Sequence, residues 1–257
     1  MILRRIALHV KRQDWFAVFL DFVIVVVGVF IGIQVANWNA ERADDARAQN
    51  YLQRIRADLD ADLANYEDRM AFWAKVSDYG ARGLAYAESG DSKGASPWDL
   101  LLAFFQASQV AEFYTTEATF EELKSAGELG LIADTGLRDA LAQYYSLGAN
   151  PAMTERPAYR VHVREVIPFD IQAYVWRDCY SSDFQGRQKM LACDPPLDEG
   201  RLAPMVEAIR NDAALMGELR YWMSTMHVAA IIGRDRVASA TRLHEAVEAE
   251  LGAQRAP

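Results

Sequence analysis

Two cysteines are the residues of this 257-residue chain best suited to covalent chemistry. Cys179 and Cys193 stand 14 positions apart in one irregular segment. In an oxidising compartment such a pair forms a disulfide, which stabilises the fold by about 3 kcal/mol for a loop of this length. A metal pair or a reactive thiol needs histidines or basic residues at suitable spacing, and His162 and His227 supply no such motif. We therefore predict a structural disulfide between Cys179 and Cys193.

The sequence contains none of the common catalytic or cofactor motifs: no nucleophile elbow, Walker loop, dinucleotide fingerprint or His-Glu-x-x-His. The segment Gly90–Gly94 lacks the spacing of a phosphate loop, so we expect a solvated turn there. His162 and Glu165 stand in the reverse order of the di-iron Glu-x-x-His pattern. Glu121-Glu122 fits a charge pair at a helix start better than an acid–base couple. We expect no enzyme activity, no metal and no cofactor.

An aromatic cluster, Tyr174, Trp176 and Tyr180, surrounds the first cysteine in the sequence. These rings could line a ligand site, but aromatic side chains more often pack into a core. Core packing is therefore the favoured interpretation.

The first element of the chain is an apolar helix. Residues 22–33 read FVIVVVGVFIGI, twelve positions without one polar side chain, and only three clearly polar residues occur between Trp15 and Trp38. A helix over that range rises roughly 35 Å, enough to cross a bilayer. We predict a transmembrane helix over residues 15–38, with Trp15 and Trp38 as anchors at the two membrane interfaces. No other apolar stretch approaches 18 residues, which predicts a single-pass protein.

The charges around this span predict its orientation. Four basic residues precede it: Arg4, Arg5, Lys11 and Arg12. The first 21 residues contribute +2 to the net charge of −9, so the rest of the chain carries −11. By the positive-inside rule, residues 1–14 form a cytoplasmic basic tail and residues 39–257 form a domain in the bacterial periplasm.

A cleaved signal peptide is the alternative interpretation of the same residues. The basic start and the apolar run fit a signal peptide, but the end of the run does not. Around Ala36 and Ala40 the small residue that signal peptidase requires three positions before the cut is missing. We therefore favour an uncleaved anchor in the inner membrane.

Asp21, Gly28 and Gly32 lie on one side of the predicted span, because spacings of seven and four residues keep them within about 20° of one stripe. Gly28-x-x-x-Gly32 is a pattern that lets two membrane helices approach closely, so this face predicts self-association or contact with another membrane protein. Glycine is also common in membrane helices without such a role. An acid within a span suggests function, although Asp21 is close enough to Trp15 to be hydrated at the headgroups instead.

The span and its exit resemble a known group of proteins. The run DFVIVVVGVFIGIQVANWNAER and the following YLQRIRADLDADL are similar to an uncharacterised bacterial family of single-span membrane proteins. Members share an acid before the apolar run, an IGIQVANWN-like exit and a helical outer domain. The later TFEELKSAGELGLIADTGLRDALAQYY resembles that family's middle region. The resemblance covers about a quarter of the chain. It implies the topology and no catalytic residues.

Beyond the span, apolar residues recur at spacings of three and four, as in a helix with one buried face. The stripe consists of Leu52, Ile55, Leu59, Leu63, Tyr66, Met70, Trp73 and Val76. It could pack within its own domain or form a coiled coil, and packing is the favoured interpretation. Caps, glycines and prolines predict further helices over Pro97–Phe113, Thr119–Ser125, Asp134–Gly148, from Pro157 with a break at Pro168, Pro204–Arg210 and Asn211–Leu251. No strand pattern is evident, so we predict an all-α fold in which the span continues into an antiparallel helical bundle.

Composition narrows the possible functions further. A hydrophobic content of 51% excludes a disordered chain, and the acidic balance argues against nucleic acid as a partner. We expect a non-enzymatic scaffold or interaction subunit of an envelope complex, anchored in the lipid bilayer. Two alternatives stay open. One is an ion-coupled subunit resembling motor stators that uses Asp21, although no cell-wall-binding domain is recognisable. The other is a ligand-sensing periplasmic bundle, although a second span and a cytoplasmic output are missing.

Overall fold

A computed structural model describes residues 15–111, 113, 115–146, 156–183 and 187–253, with side chains from Phe19 onward. The protein is 80% helical, which confirms the predicted all-α class. The described residues form eight α-helices: α1 Trp15–Ser89, α2 Pro97–Gln106, α3 Ala118–Ser125, α4 Thr135–Ser146, α5 Ala158–Val166, α6 Phe169–Asp178, α7 Glu199–Asn211 and α8 Ala213–Ala253. Leu129–Leu131 forms one 3-10 turn, where we expected a turn.

The chain divides into two compact units, one ending at Tyr51 and the other starting at Leu52. We call the second the outer unit. The first unit contains the apolar part of α1. The outer unit contains the rest of α1, helices α2 to α8 and the hydrophobic core.

Within the outer unit, helices α1 and α8 pack side by side in opposite directions. Arg56 of α1 forms an ion pair with Glu248 of α8, at 3.1 Å between nitrogen and oxygen. At the other end of the contact a Cβ atom on Gly80 would overlap the side chain of Met223. Twenty-four residues along α1 thus correspond to 25 residues back along α8. This is the antiparallel arrangement of long helices that the sequence predicts.

The predicted stripe on α1 is the face that packs into the core. Leu52, Ile55, Leu59 and Val76 are each 0% exposed. The polar residues between them, such as Asp60, face solvent. One-sided spacing of apolar residues therefore identified a surface that other helices of the outer unit cover.

Helix α2 lies in the centre of the outer unit. Every residue from Leu100 to Gln106 is buried, so the helix is enclosed on all sides. It begins with the predicted capping box, in which the Ser96 hydroxyl accepts from the Asp99 amide at 3.1 Å and the Asp99 carboxylate accepts from the Ser96 amide at 3.0 Å.

The prediction that this helix continues to Phe113 is wrong. Helix α2 ends at Gln106, and residues 107–111 form a non-helical segment that is as buried as the helix itself. We call it the buried segment. Its carbonyls do not need helical partners, because the indoles of Trp222 and Trp73 donate to the carbonyls of Ala107 and Ala111, each at 2.8 Å. Side chains from distant helices thereby satisfy a loop that would otherwise leave buried polar groups unpaired.

The expectation of no strands is also corrected. Tyr180–Ser182 (β1) and Gln188–Met190 (β2) form a two-stranded antiparallel hairpin, with Tyr180 opposite Met190. Three residues per strand are too few for an alternating pattern to be recognised in a sequence.

The remaining helix boundaries follow the sequence closely. Asp134 caps α4 as predicted by accepting from the Gly136 amide at 2.7 Å, and Pro168 separates α5 from α6. Helix α7 begins five residues before its predicted start, because the carboxylate of Asp198 accepts from the Arg201 amide and caps it there.

Candidate functional site

The apolar part of α1 meets the requirements for a membrane span. Among the described residues it is the one helix long and apolar enough, with a mean hydropathy of 2.5 over its best 18-residue window. None of that window is buried, and Phe22 and Val25 are 65% and 63% exposed. A surface that is apolar on all sides and covered by no other described residue is unfavourable in water and favourable in lipid.

The predicted packing face on this helix is open. Nothing lies within 4 Å of the positions that Cβ atoms would occupy on Gly28 and Gly32, and Asp21 is exposed. Trp38 is 53% exposed, and the Arg42 guanidinium lies 4.1 Å from its ring centroid. Trp15 begins α1, but its side chain lies outside the described residues. A partner for this face and the anchoring role of both tryptophans stay predictions.

Cys179 and Cys193 are joined by a disulfide, with an S–S distance of 2.04 Å. Cys179 is fully buried at the end of α6, and its carbonyl accepts from the Leu191 amide at 2.8 Å. The indole of Trp98 donates to the carbonyl of Cys193 at 3.1 Å. These contacts attach the segment after β2 to both α6 and α2.

The aromatic cluster beside the disulfide packs against the core. The ring of Trp176 makes edge contacts with Phe105 and Tyr180, with centroid distances of 5.8 and 4.9 Å. Tyr174 makes an edge contact with Trp98 at 6.0 Å, and its hydroxyl donates to a backbone carbonyl. The described rings are therefore occupied with one another, as the favoured interpretation expects.

A half-buried arginine stands next to this cluster and was not singled out from the sequence. The guanidinium carbon of Arg164, on α5, lies 5.0 Å from the ring centroids of both Phe105 and Trp176. Its Nε donates to the Ser108 hydroxyl at 3.2 Å, and its Nη2 donates to Oε1 of Gln109 at 3.3 Å. The helix α5, the buried segment and helix α6 thus meet around one positive charge.

Neutral groups dominate the surroundings of this charge. No carboxylate of the described residues forms an ion pair with Arg164. Burial, reinforced by the nearby charge of Arg160, lowers the pKa of Arg164 to about 9. A cation in such a place is costly unless an anion accompanies it.

A second polar centre involves Asp62 of α1, which is fully buried. Its carboxylate accepts from the hydroxyl of Tyr144 at 2.7 Å and from the amide of Thr116 at 2.8 Å. Burial raises the pKa of Asp62 above its ordinary value, while these two hydrogen bonds act in the opposite direction. Burial also raises the pKa of Tyr66 to about 12. This centre connects α1 to α4 and to the residues before α3.

The other residues considered in the sequence form no reactive site in the described parts of the chain. His162 contacts Glu218 through Nδ1 at 3.0 Å and Asp212 through Nε2 at 3.4 Å, while Glu165 is exposed. Because opposite ring nitrogens face the two carboxylates, these groups do not converge on one point. Among the described residues no group of three or more possible ligands could hold a metal ion.

The two acidic residues of α3 and the glycine pair also have simple structural roles. Glu121 forms an ion pair with Lys124 at 3.0 Å, and Glu122 pairs with Arg54 of α1. Gly90 and Gly94 have φ angles of +72° and +83° in an exposed turn. These positions need glycine for backbone geometry, as the turn interpretation expects.

No protein-family model, curated protein or solved structure matches this chain. Its function is therefore inferred from its own residues and their geometry.

Proposed function

We propose that this protein is a membrane-anchored scaffold or interaction subunit of a bacterial envelope complex. One helix holds it in the inner membrane, and the outer unit presents a helical, acidic surface in the periplasm. Its contribution is positional: it keeps a partner at a fixed membrane surface, without a chemical step of its own.

The observation that carries this proposal is the contrast in exposure along α1. The apolar window of α1 has no buried residue, whereas apolar residues of the outer unit such as Leu52 and Leu59 are 0% exposed. A protein that buries one set of apolar side chains so completely and leaves another uncovered is suited to a membrane. The outer unit can then act as a separate folded body on that anchor.

Two further features support a periplasmic outer unit. The basic residues precede the span and the chain after Asp21 carries a charge of −11, which favours export of that part. The outer unit also contains the Cys179–Cys193 disulfide, a bond that persists in oxidising compartments.

Topology is tested by fusing a reporter that is active only in the periplasm after Pro257. We expect activity from this fusion and none from the same reporter fused before Arg4. Cytoplasmic activity of the first fusion would overturn both the orientation and the assignment of the outer unit to the periplasm.

The interaction role is tested by cross-linking in native membranes. A cysteine at Gly32 should form a cross-linked species, either a dimer or a complex with another membrane protein, because nothing lies beside this position. The matched control is Val26→Cys, six residues away and on the opposite side of the helix. Equal yields at the two positions, or none at either, would contradict a specific packing face.

The Asp21→Asn variant separates this proposal from the ion-coupled alternative. As a scaffold the protein should keep its insertion and its cross-linked species, because a neutral amide enters a membrane at least as readily as an acid. Proton flux into energised vesicles that disappears with Asp21→Asn would favour the ion-coupled alternative instead.

A further inference from the structure

Helix α5 brings two guanidinium groups to one residue of the buried segment. Nη1 of Arg160 donates to the Ser108 carbonyl at 2.7 Å, and Nε of Arg164 donates to the Ser108 hydroxyl at 3.2 Å. The two arginines are four residues apart, on the same side of the helix, where like charges repel each other. Their convergence on one neutral residue is electrostatically unfavourable as it stands.

The surroundings of Arg164 restrict where a compensating charge can approach. Phe105 and Trp176 lie near its guanidinium, and Gln109 accepts from Nη2. Nη1 has no hydrogen bond with a described residue, and it is not sealed from solvent. The remaining open donors therefore face the exterior beside Arg160.

We propose that Arg160 and Arg164 form a binding site for an oxyanion, the carboxylate or phosphate group of a small molecule. Guanidinium groups bind such anions through paired N–H donors and bind them more strongly than neutral acceptors do. The anion contacts Nη1 of Arg164 and relieves the repulsion between the two arginines. This site does not depend on the proposed scaffold function, because it lies entirely within the outer unit.

The first experiment measures binding to the full chain in lipid nanodiscs by isothermal titration calorimetry. Inorganic phosphate and acetate serve as separate probes, at constant ionic strength maintained with chloride. We expect saturable binding of at least one probe, and the tighter one identifies phosphate or carboxylate as the source. Absence of heat and of any shift in melting temperature with both probes would overturn the proposal, since a ligand that binds the folded state stabilises it.

Variants then assign the site. Arg164→Gln should weaken binding about tenfold or more, the factor expected for the loss of a charged hydrogen bond. Arg164→Lys keeps the charge without the planar fork and should fall between the two. Arg220→Gln is the matched control, because Arg220 lies on α8 and pairs with Glu88 at 3.5 Å. Equal affinities in the wild type, Arg164→Gln and Arg164→Lys would overturn the proposal.

Two further measurements keep the proposal testable. If Arg164→Gln does not fold, Arg160→Gln replaces it and is expected to weaken binding in the same direction. Glu112 lies outside the described residues and is close to Gln109 in the sequence. Phosphate or acetate binding that is absent in the wild type and appears only in Glu112→Gln would show that the chain supplies its own anion, and would overturn an external ligand.

Discussion

The two apolar parts of helix α1 contain similar residues but have opposite environments. In the first unit, valines, isoleucines and phenylalanines follow one another almost without interruption, and Val27 and Ile31 are 48% and 55% exposed. In the outer unit, Ile55 and Leu59 recur among polar residues and are 0% exposed. Arrangement along the helix, more than composition, thus separates an apolar surface for lipid from one for protein.

The difference also concerns the polar residues that each part tolerates. In the outer unit, Asp62 lies on the buried stripe, where Tyr144 and Thr116 donate to it. In the first unit, Asp21 lies beside the apolar run and is exposed. A buried acid is acceptable where protein donors are fixed around it, and such donors come from tertiary contacts that the outer unit alone provides for α1.

The largest effect is expected from a charge placed on the buried stripe. Ile55→Asp introduces an unpaired carboxylate into a fully buried position, at a cost of several kcal/mol, a large fraction of typical folding stability. We expect the cooperative thermal transition, followed by circular dichroism of the chain in nanodiscs, to be lost or strongly lowered.

The companion variant Val27→Asp should act on the membrane and not on the core. A central charge costs an apolar span roughly 3 kcal/mol, so more protein should be released by alkaline extraction of membranes. Its melting temperature after reconstitution should match the wild type. If Val27→Asp lowers the melting temperature as much as Ile55→Asp does, the distinction between the two parts of α1 fails.

A smaller effect is expected from a cavity. Leu59→Ala removes buried methyl groups and should lower the free energy of unfolding by about 2–5 kcal/mol. The melting temperature of the chain should fall by several degrees. Val27→Ala is the control, because its side chain is half-exposed and supports no protein core. Equal changes in the two variants would contradict the assignment of Leu59 to the core.

The disulfide extends the comparison, because it is a covalent constraint on the outer unit alone. Replacing Cys179 and Cys193 together by serine should lower the free energy of unfolding by about 3 kcal/mol and leave membrane retention unchanged. An unreduced digest of the membrane-isolated protein, analysed by mass spectrometry, should contain the two peptides linked. Two freely alkylated thiols would contradict both the bond and the periplasmic location proposed for this unit.

The smallest effect is a pH dependence due to Asp62. Burial raises its pKa, so the folded protein keeps this proton at a pH where the unfolded chain has lost it. The contribution of Asp62 to stability therefore increases as the pH falls through the raised pKa towards 3.8, and decreases as the pH rises. Asp62→Asn can keep both hydrogen bonds and should flatten this part of the profile of melting temperature against pH.

Asp139→Asn, on the exposed side of α4, is the control for that measurement. Its profile should be parallel to that of the wild type. If the slope of Asp62→Asn equals the slopes of the wild type and of Asp139→Asn, the carboxyl of Asp62 does not titrate abnormally.

Sequence patterns were sufficient where neighbours along the chain determine the structure. The stripe on α1 follows from spacings of three and four, and the starts of α2 and α4 follow from Ser96 and Asp134, whose side chains cap helices within three residues. The all-α class follows from the same local signals.

Patterns failed where a residue's partners are distant in the chain. The apolar residues after Gln106 resemble a continuing helix, and the donors that replace helical hydrogen bonds belong to Trp73 and Trp222. Arg164 resembles an ordinary charge on an amphipathic helix, because Ser108 stands 56 residues away. Neither set of contacts leaves a local signal, so tertiary structure was needed to find the candidate anion site.

The buried segment after α2 imposes an order on folding. Its carbonyls at Ala107 and Ala111 receive protons from indoles that stand 115 and 38 residues away in the chain. A chain that emerges from its N-terminus has no donor for Ala107 until Trp222 has been synthesised, so this peptide group stays hydrated until then. Contacts so far apart in sequence form slowly, because a long loop must close first. The centre of the outer unit is thus completed late, after its two terminal helices have met, and its amide protons should be among the slowest to exchange with solvent.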